Sequence, residues 1–574
     1  MLKNKQPIKY LTLDINELHD NERVKQRSQF LRGTLNASLE TVESASIAES
    51  DTLLTKFHGI YQQDDRDQRK ARRLRKLEPD YQFMVRIRIP GGVLNKNQWQ
   101  QLDFLSRRYA NRGLRITTRQ TIQLHGVQKW HLRPVLQGLK QVGLDTIAAC
   151  GDDSRGIVCG INPDHSSVHR QVYQIAQDTS DRLIPKTHAY KEVWYQKPAD
   201  NDSGNEEPVY GPLYLPRKFK VGFVIPPVND IDVFAQDVGF IAVIKNDQLE
   251  GFNVCVGGGM GQLDSRDDSY PRLASEIGFV PTEDAAELAE IIMTIQRDYG
   301  DRIDRHQARF KYTIDRLGIN WFINELTARY GKTLRAVRKY RFTQNHDLIG
   351  WHKTDQRHWQ VTFNIDNGRI NNALQDKFQA LIQDLTGSVR LTPNQNLQLI
   401  NIPDFAKSTL ENRIADFGLS MLINVADQSA YSMSCVALPT CGLAMAEAER
   451  YMPDFLARFE ELKAAHDLSA TPITLRVTGC PNGCARPYLG EIALTGRAKD
   501  LYNLYLGGSP RGDRLAVCYQ QNVNEHEIFK TLDTLLSLYK TERLNNEAFG
   551  DYLVRSQTLK TPQSSPQSLP IQEM

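Results

Sequence analysis

Hydrophobic and polar positions alternate most clearly in Tyr81-Gln82-Phe83-Met84-Val85-Arg86-Ile87-Arg88-Ile89-Pro90-Gly91-Gly92. Val85, Ile87 and Ile89 take one side and Met84, Arg86 and Arg88 the other, which predicts a strand with both arginines on one face. Asn97 to about Tyr109 reads as a helix. A second strand region follows over Leu114–Gly126, with basic and polar residues alternating. A second helix runs from near His131 to Val142 and ends at Gly143. Strand, helix, strand, helix is a compact α+β unit.

The unit returns. Arg390-Leu391-Thr392-Pro393-Asn394-Gln395-Asn396-Leu397-Gln398-Leu399 matches Arg115-Ile116-Thr117-Thr118-Arg119-Gln120-Thr121-Ile122-Gln123-Leu124 as R-[IL]-T-x-x-Q-x-[IL]-Q-L, at an offset of 390 − 115 = 275. Val361 to Gly368 falls where Val85 to Gly92 does, within one residue of that spacing. A third echo pairs Phe252-Asn253-Val254-Cys255-Val256-Gly257-Gly258 with Tyr502-Asn503-Leu504-Tyr505-Leu506-Gly507-Gly508. An internal duplication follows. The copies have diverged in charge, since Arg86, Arg88 and Arg119 become Thr362, Asn364 and Asn394.

Chain length adds domains to this picture. With 574 residues, several are expected. The expected boundaries are a polar arm over 1–80, for docking a partner or wrapping the body, and a first half-domain over 81–148. An α/β domain supplying anion-binding residues spans 149–348, and a second half-domain 349–425. An α/β domain carrying four cysteines covers 426–556, and a Ser/Pro/Gln-rich disordered tail covers 557–574. Lys+Arg 71 against Asp+Glu 68 gives +3, so an anion site must be a local cluster of cations. No apolar leader and no run of 18 apolar residues occurs, which predicts a cytoplasmic chain without a membrane span.

The chemistry concentrates in two cysteine pairs. Cys435 and Cys441 are spaced C-x5-C, Cys480 and Cys484 C-x3-C, and 38 residues lie between Cys441 and Cys480. Zinc knuckles usually show C-x2–4-C, so the wider pair suits a [4Fe-4S] cube better. Four buried cysteines acting as small hydrophobes, or a disulfide, remain open on spacing alone. Cys150, Cys159, Cys255 and Cys518 read as structural. The basic candidates are Arg86 and Arg88, Arg155 in a Gly-rich loop, and Arg217, Lys218 and Lys220. Lys218 and Lys220 share a face if a strand enters Val221. Gly257-Gly258-Gly259-Met260-Gly261 could cradle a carboxylate or phosphate but lacks a dinucleotide fingerprint.

Together these residues resemble the sulfite/nitrite reductase family. The resemblance rests on Cys435-x5-Cys441, Thr478-Gly479-Cys480-Pro481-Asn482-Gly483-Cys484 and Arg86-x-Arg88-x-Pro90-Gly91-Gly92. It also rests on Thr117-x-Arg119-Gln120-x-x-Gln123-x-His125 and Leu215-Pro216-Arg217-Lys218-Phe219-Lys220, and it covers about Phe57 to Arg555. The resemblance implies an α+β fold: a pseudo-two-fold duplicated ferredoxin-like unit plus two α/β lobes around a central site. It implies a [4Fe-4S] cluster on Cys435, Cys441, Cys480 and Cys484, with Cys484 bridging to a sirohaem. Arg86, Arg155, Lys218 and Lys220 would bind sulfite, the lysines as proton donors. Arg115, Thr117, Arg119, Gln123, His125, Arg217 and Asn482 would meet sirohaem carboxylates or the cluster surroundings.

The implied reaction is the six-electron reduction of sulfite to sulfide for cysteine biosynthesis. Electrons would come from NADPH through a separate flavoprotein (alpha) subunit carrying FAD and FMN, since this chain has no nucleotide fingerprint. The alternative is a ferredoxin-dependent sulfite or nitrite reductase. A non-catalytic iron–sulfur or RNA-binding protein is the reading from another class. The near-neutral net charge and the scatter of basic residues weigh against nucleic acid.

Overall fold

The computed structural model describes residues 7–160, 162–196, 207–263, 265–354, 357–425 and 428–559. Four five-stranded sheets organise it. The first has the order Ile60–Asp64, Tyr81–Arg86, Ile122–Val127, Leu114–Ile116, Arg369–Ile370. The second has the order Gly350–Lys353, His358–Phe363, Leu397–Pro403, Ser388–Leu391, Val93–Leu94. The two orders correspond strand for strand, and each sheet borrows its last strand from the other half. Arg369 pairs with Arg115, and reciprocally Val93 pairs with Arg390. Neither half can complete its sheet alone, so the duplicated units are interlocked and not merely adjacent. The repeat read at offset 275 sits in register: Arg86 lies opposite Gln123, and Thr362 opposite Gln398.

The third and fourth sheets are likewise copies. Val158–Cys159, Val221–Val224 and Val238–Lys245 run parallel, then Gln248–Val256 and Ser275–Pro281 return antiparallel. Ser432–Ser434, Leu475–Thr478, Ile492–Ala498, Leu501–Leu506 and Val517–Val523 repeat that order and direction. Gly257 and Gly507, matched in the third sequence echo, both leave the fourth strand of their sheet with φ of +81° and +86°, where a side chain would be strained. The fourth sheet has its own apolar core between Ala437 and Leu559, while the other three share one.

The N-terminal boundary differs from the expected one. Ile60–Asp64 pairs with Tyr81–Arg86, so the first sheet begins twenty residues before Tyr81. Polar composition hid this strand because it lies at a sheet edge with only Ile60 fully buried. The rest of 7–80 is ordered by burial. Helices Asp20–Arg27, Leu35–Glu40 and Glu49–Phe57 place Leu35, Leu54 and Phe57 in the shared core. Lys25 and Glu22 form a buried pair at 2.5 Å, with Arg302 on the same carboxylate. Of the tail expected from 557, residues 560–574 lie outside the described residues, and Leu559 packs onto Gly507.

Arg86 and Arg88 diverge although the alternation put them on one face. The strand ends at Arg86, and Arg88 forms a bidentate pair with Asp145 at 2.8 and 2.9 Å.

Glu449 ties the first sheet, to which both halves contribute, to the fourth-sheet lobe. It precedes the helix Met452–Ala465 of the fourth-sheet lobe. It receives Arg115 of the first half at 3.1 Å and Arg369 of the second half at 2.7 Å. Those arginines are cross-strand partners and would repel without it. Burial alone would raise the Glu449 carboxyl, but Arg115 and Arg369 outweigh it and hold it at about 2. In the unfolded chain a glutamate titrates near pH ~4.3. The stabilisation is therefore complete above that pH and is lost as pH falls towards about 2. We predict that Glu449→Gln costs roughly 3 kcal/mol at pH 7, because two crowded guanidiniums lose their counter-charge. Denaturant unfolding at a series of pH values should also show a shallower acid decline than wild type over that window. An equal slope in both proteins refutes the assignment.

Candidate functional site

Two adjacent parallel strands deliver the cysteine pairs. Cys435 follows Ser432–Ser434 and Cys480 follows Leu475–Thr478, and Ser434 is registered against Val477. The Cys435 N–H donates to Val477 O at 3.2 Å, and the Gly479 N–H donates to the Cys435 sulfur at 3.3 Å. Gly479 has no room for a side chain, since a Cβ would lie 2.6 Å from Ala446 O and from the Ala437 methyl. Met445 and Ala446 N–H both donate to Gly479 O, which folds the C-x5-C loop over the C-x3-C loop.

Burial pushes the Cys435 thiol up, and Cys484, Cys480 and Cys441 add to the rise. Burial and then Cys484 push Cys480 up to about 12. The four sulfurs thus share one electrostatic neighbourhood. Among the described residues no three His, Cys, Asp or Glu side chains converge closely enough to hold a single metal ion. The Asn482 amide donates to the Cys480 sulfur at 3.6 Å. Cys484 is exposed, whereas Cys480 is buried.

A second cluster, of cations, lies off the amino ends of the parallel strands in the third sheet. The Arg155 N–H donates to Phe219 O at 2.8 Å just before Val158–Cys159. Arg217, Lys218 and Lys220 precede Val221–Val224. The extended stretch read from the alternation is there, since Phe219 bridges Ser154. Asp237 precedes Val238–Lys245, accepts the Lys220 N–H at 3.0 Å, and pairs with Arg309 at 3.2 Å. Arg86 enters from the first sheet and donates to Ala149 O at 3.4 Å and to the Cys150 sulfur at 3.2 Å. Cys150, read as structural, therefore lines this cleft. With its oxygen turned towards Arg86, the Gln123 amide accepts from the guanidinium at 2.6 and 3.3 Å.

Like charges dominate here. Burial drives the Lys218 ammonium well below its usual range, and Arg217, Lys220, Arg309 and Arg155 drive it further. Burial, Arg309 and Arg119 bring Lys220 down to about 7, with Asp237 and Cys484 opposing. Burial and the neighbouring Arg155 lower Arg119 to about 9. Both lysines keep some accessible surface despite this crowding.

The other candidates divide. Arg119 donates to Gln236 Oε1 and to Gly156 O, both at 2.6 Å, and its Nε is buried without a partner. His125 is buried with both ring nitrogens unpartnered, and burial followed by Arg369 and Arg115 lowers it to about 3. Thr117 bonds Thr121 at 2.8 Å and steadies the turn that presents Arg119. Arg217 faces Asp152 at 3.6 Å, and burial lowers it to about 10. Arg115 is engaged with Glu449, Ile116 O and Ser434 O. Through the Ser434 carbonyl it supports the strand leading into Cys435.

Sequence reading missed Asp237, Arg305, Arg309 and Tyr61, whose charged neighbours include Arg155, Arg86, Asp152 and Lys218. No local motif marked them, because they come from three separate segments. The glycine loop 257–261 does not form an open cradle. The Gln262 N–H donates to Pro481 O at 3.0 Å, and a Cβ on Gly261 would sit 3.2 Å from Asn482 O. The loop backs the cysteine turn, where close approach requires glycine.

The residues present fit the implied groups. A cleft holding Arg86, Arg119, Arg155, Arg217, Lys218, Lys220, Arg305 and Arg309 against Asp152, Asp153 and Asp237 has a surplus of cations. The orphaned nitrogens of Arg119, Arg309 and His125 call for acceptors. A polycarboxylate macrocycle and an oxyanion supply both charge and acceptors. The four thiols fit a multi-iron centre by ligand type.

Comparison with known proteins agrees with this geometry. A model of the nitrite and sulphite reductase 4Fe-4S domain matches residues 176–334, and a model of the nitrite/sulfite reductase ferredoxin-like half domain matches 75–142 and 352–417. The cysteines lie outside the first match, in its structural duplicate. The chain is 49% identical over 552 residues to the sulfite reductase [NADPH] hemoprotein beta-component of Afipia carboxidovorans, covering 94% of this chain and 95% of that protein. It is 46% identical over 551 residues to the protein of the same name from Oceanobacillus iheyensis, covering 95% and 96%. The solved structure of Mycobacterium tuberculosis NirA superposes with a TM-score of 0.74 at 23% identity, over 94% of this chain and 96% of that one, and shows the same fold. The interlocked halves, the duplicated lobes and these matches show that the chain belongs to the nitrite and sulfite reductase family of oxidoreductases.

Proposed function

We propose that this chain reduces sulfite to sulfide, with sirohaem seated in the cation-lined cleft and a [4Fe-4S] cluster on Cys435, Cys441, Cys480 and Cys484. The observation that carries the reading is the meeting of the two clusters. Cys484 is close enough to Lys220 to influence its protonation, and the Cys484 carbonyl accepts from Thr118 Oγ1 at 3.1 Å, beside Arg119. Of the four thiols, Cys484 is the exposed one, placed to serve as a shared ligand. When bound, the cofactors would supply stored electrons to the anion held by these residues.

The chain's own residues do the rest. Arg86 and Arg155 keep a fixed charge and clamp the anion. Arg155 is oriented by Gly151 O, which accepts from Nε at 3.1 Å and Nη2 at 2.8 Å. Lys218 and Lys220 hold protons at ammoniums that their neighbours make acidic, which suits transfer to sulfite oxygens leaving as water. Asp237 fixes the Lys220 backbone. Electrons would come from NADPH through a separate flavoprotein alpha subunit carrying FAD and FMN. The two relatives named as NADPH-linked beta-components support that partner; a place in cysteine biosynthesis is part of the proposal. No helix among the described residues is long and apolar enough to cross a membrane, and a cytoplasmic location is part of the proposal.

Visible spectroscopy of the purified protein tests the core reading. A sirohaem Soret band with iron and acid-labile sulfide supports it, and a colourless zinc protein refutes it. In Cys484→Ser the haem–cluster coupling should disappear, together with most bound iron; unchanged spectra and EPR would remove Cys484 from the bridge. Lys218→Ala or Lys220→Ala should leave the spectrum intact and reduce sulfite turnover on the order of 10²-fold. In wild type, kcat/KM for sulfite should fall as pH rises through the Lys220 value, at or above about 7, because any anion in the cleft raises it. Lys220→Arg, which cannot deprotonate, should lose that limb. A limb that persists at the same pH in Lys220→Arg assigns it elsewhere.

A further inference from the structure

Resting on the iron–sulfur reading above, we propose that Arg66 is a positioning residue for the four-cysteine centre. Its guanidinium fixes the C-x5-C loop and places a positive charge beside Cys441. Arg66 lies in the charge run of the N-terminal segment, in the turn between Ile60–Asp64 and the helix Arg69–Leu74. Sequence alone gave this run a solvated or partner-docking face.

The structure gives Arg66 a different place. Its Nη1 donates to Cys441 O at 2.9 Å and to Ala444 O at 2.6 Å. Its own N–H donates to Pro439 O at 3.2 Å. Three bonds from one residue thus span the loop from Pro439 to Ala444, more than 370 residues away in sequence. The next residue, Asp67, adds an ion pair to Arg450 at 2.7 Å on the far side of the same loop.

Two further observations separate this from ordinary surface packing. Arg66 is half-buried, and among the described residues no carboxylate lies within ion-pair distance of it. The guanidinium sits on the Cys441 carbonyl, so its charge lies directly beside that residue. The loop also needs an external hold. Leu443 and Met445 are exposed, at 69% and 46%, so this side of the centre has little protein over it. Charge-assisted hydrogen bonds to carbonyls are the stronger kind, and here they tie down the thinnest wall of the site.

A fixed positive charge next to a centre that gains electrons favours the reduced state. Arg66→Ala should therefore make the cluster's midpoint potential more negative in EPR-monitored titration of the holoprotein. It should also speed loss of acid-labile sulfide in air roughly tenfold, the ratio expected for about one lost hydrogen bond. Arg66→Lys keeps the charge and should stay near the wild-type potential. Arg450→Ala removes the Asp67 and Glu447 pairs but none of the Arg66 bonds to the cysteine loop, and should leave the potential unchanged. Loss of the cluster in Arg66→Ala but not in Arg66→Lys also supports the assignment. Wild-type potential and air stability in Arg66→Ala overturn it, as does an equal shift in Arg450→Ala. If the wild-type protein itself carries no labile sulfide, the iron–sulfur reading fails; a normal wild-type centre with unmoved variants is a failure of the Arg66 inference alone.

Discussion

Uncompensated positive charge in a confined cleft is the constraint on which this molecule depends. Cations gathered away from water repel, and Lys218 and Lys220 register that repulsion directly. Such a group persists only if the surrounding fold is rigid enough to hold it and an anion completes it. Both conditions are met by construction. Arg86 is fixed on a sheet strand, Arg155 and the lysines sit on the backbone ladder of the third sheet, and Asp237 and Asp152 offset part of the charge from behind. The remaining surplus is the recognition element. It keeps the lysine ammoniums acidic, and an anion beside them would raise them again.

Duplication explains how one architecture carries two kinds of chemistry. In the third sheet Asp237 accepts the Lys220 N–H; in the fourth, Glu491 at the matching position accepts the Thr474 N–H at 2.8 Å. The same backbone problem is solved by the same type of side chain. Around Asp237 the neighbours are cations facing a cleft. Around Glu491 the second oxygen is taken by the Gly550 N–H, and the position is closed. The interlocked halves show the same divergence. Gln398 donates to Thr362 at 2.9 Å and accepts from Arg390, so its ladder is satisfied internally. In the first half the residue opposite Gln123 is Arg86, whose guanidinium continues past the ladder to the cleft. The exchange of Arg86 for Thr362, with that of Arg119 for Asn394, removes the cation cluster from the second half.

These relations set what was legible beforehand. The cysteine pairs, the R-[IL]-T-x-x-Q-x-[IL]-Q-L repeat and the Lys218–Lys220 face are local in sequence, and each depends on spacing that a regular strand or turn preserves. The exchange of edge strands was not legible. Val93–Leu94 and Arg369–Ile370 are two residues each, too short for alternation to register. Ile60–Asp64 was hidden by its polar composition. Arg309, Asp237 and Glu449 were missed for another reason: the opposite charges they pair with are 72 to 334 residues distant, and a lone charged residue has no periodicity. Arg88 shows the opposite error, since alternation grouped it with Arg86 past the end of the strand.

The N-terminal segment shows why those distant pairings matter. It was read as an appendage, yet it reaches both clusters. Lys25 donates to Leu215 O at 2.9 Å, and Arg302, which shares Glu22 with it, donates to Tyr214 O. Those carbonyls lie immediately before Arg217 and Lys218. Some forty residues later Arg66 grips the Cys441 loop. One continuous stretch of chain therefore braces the loop that presents the cations and the loop that presents the cysteines. Any shift of Ile60–Asp64 along its partner strand would move both attachments together, because they are joined through a strand registered residue by residue against Tyr81–Arg86. That strand ends at Arg86. The relative position of the anion clamp and the metal loop is thus set through the first sheet, with the N-terminal segment as the connecting member.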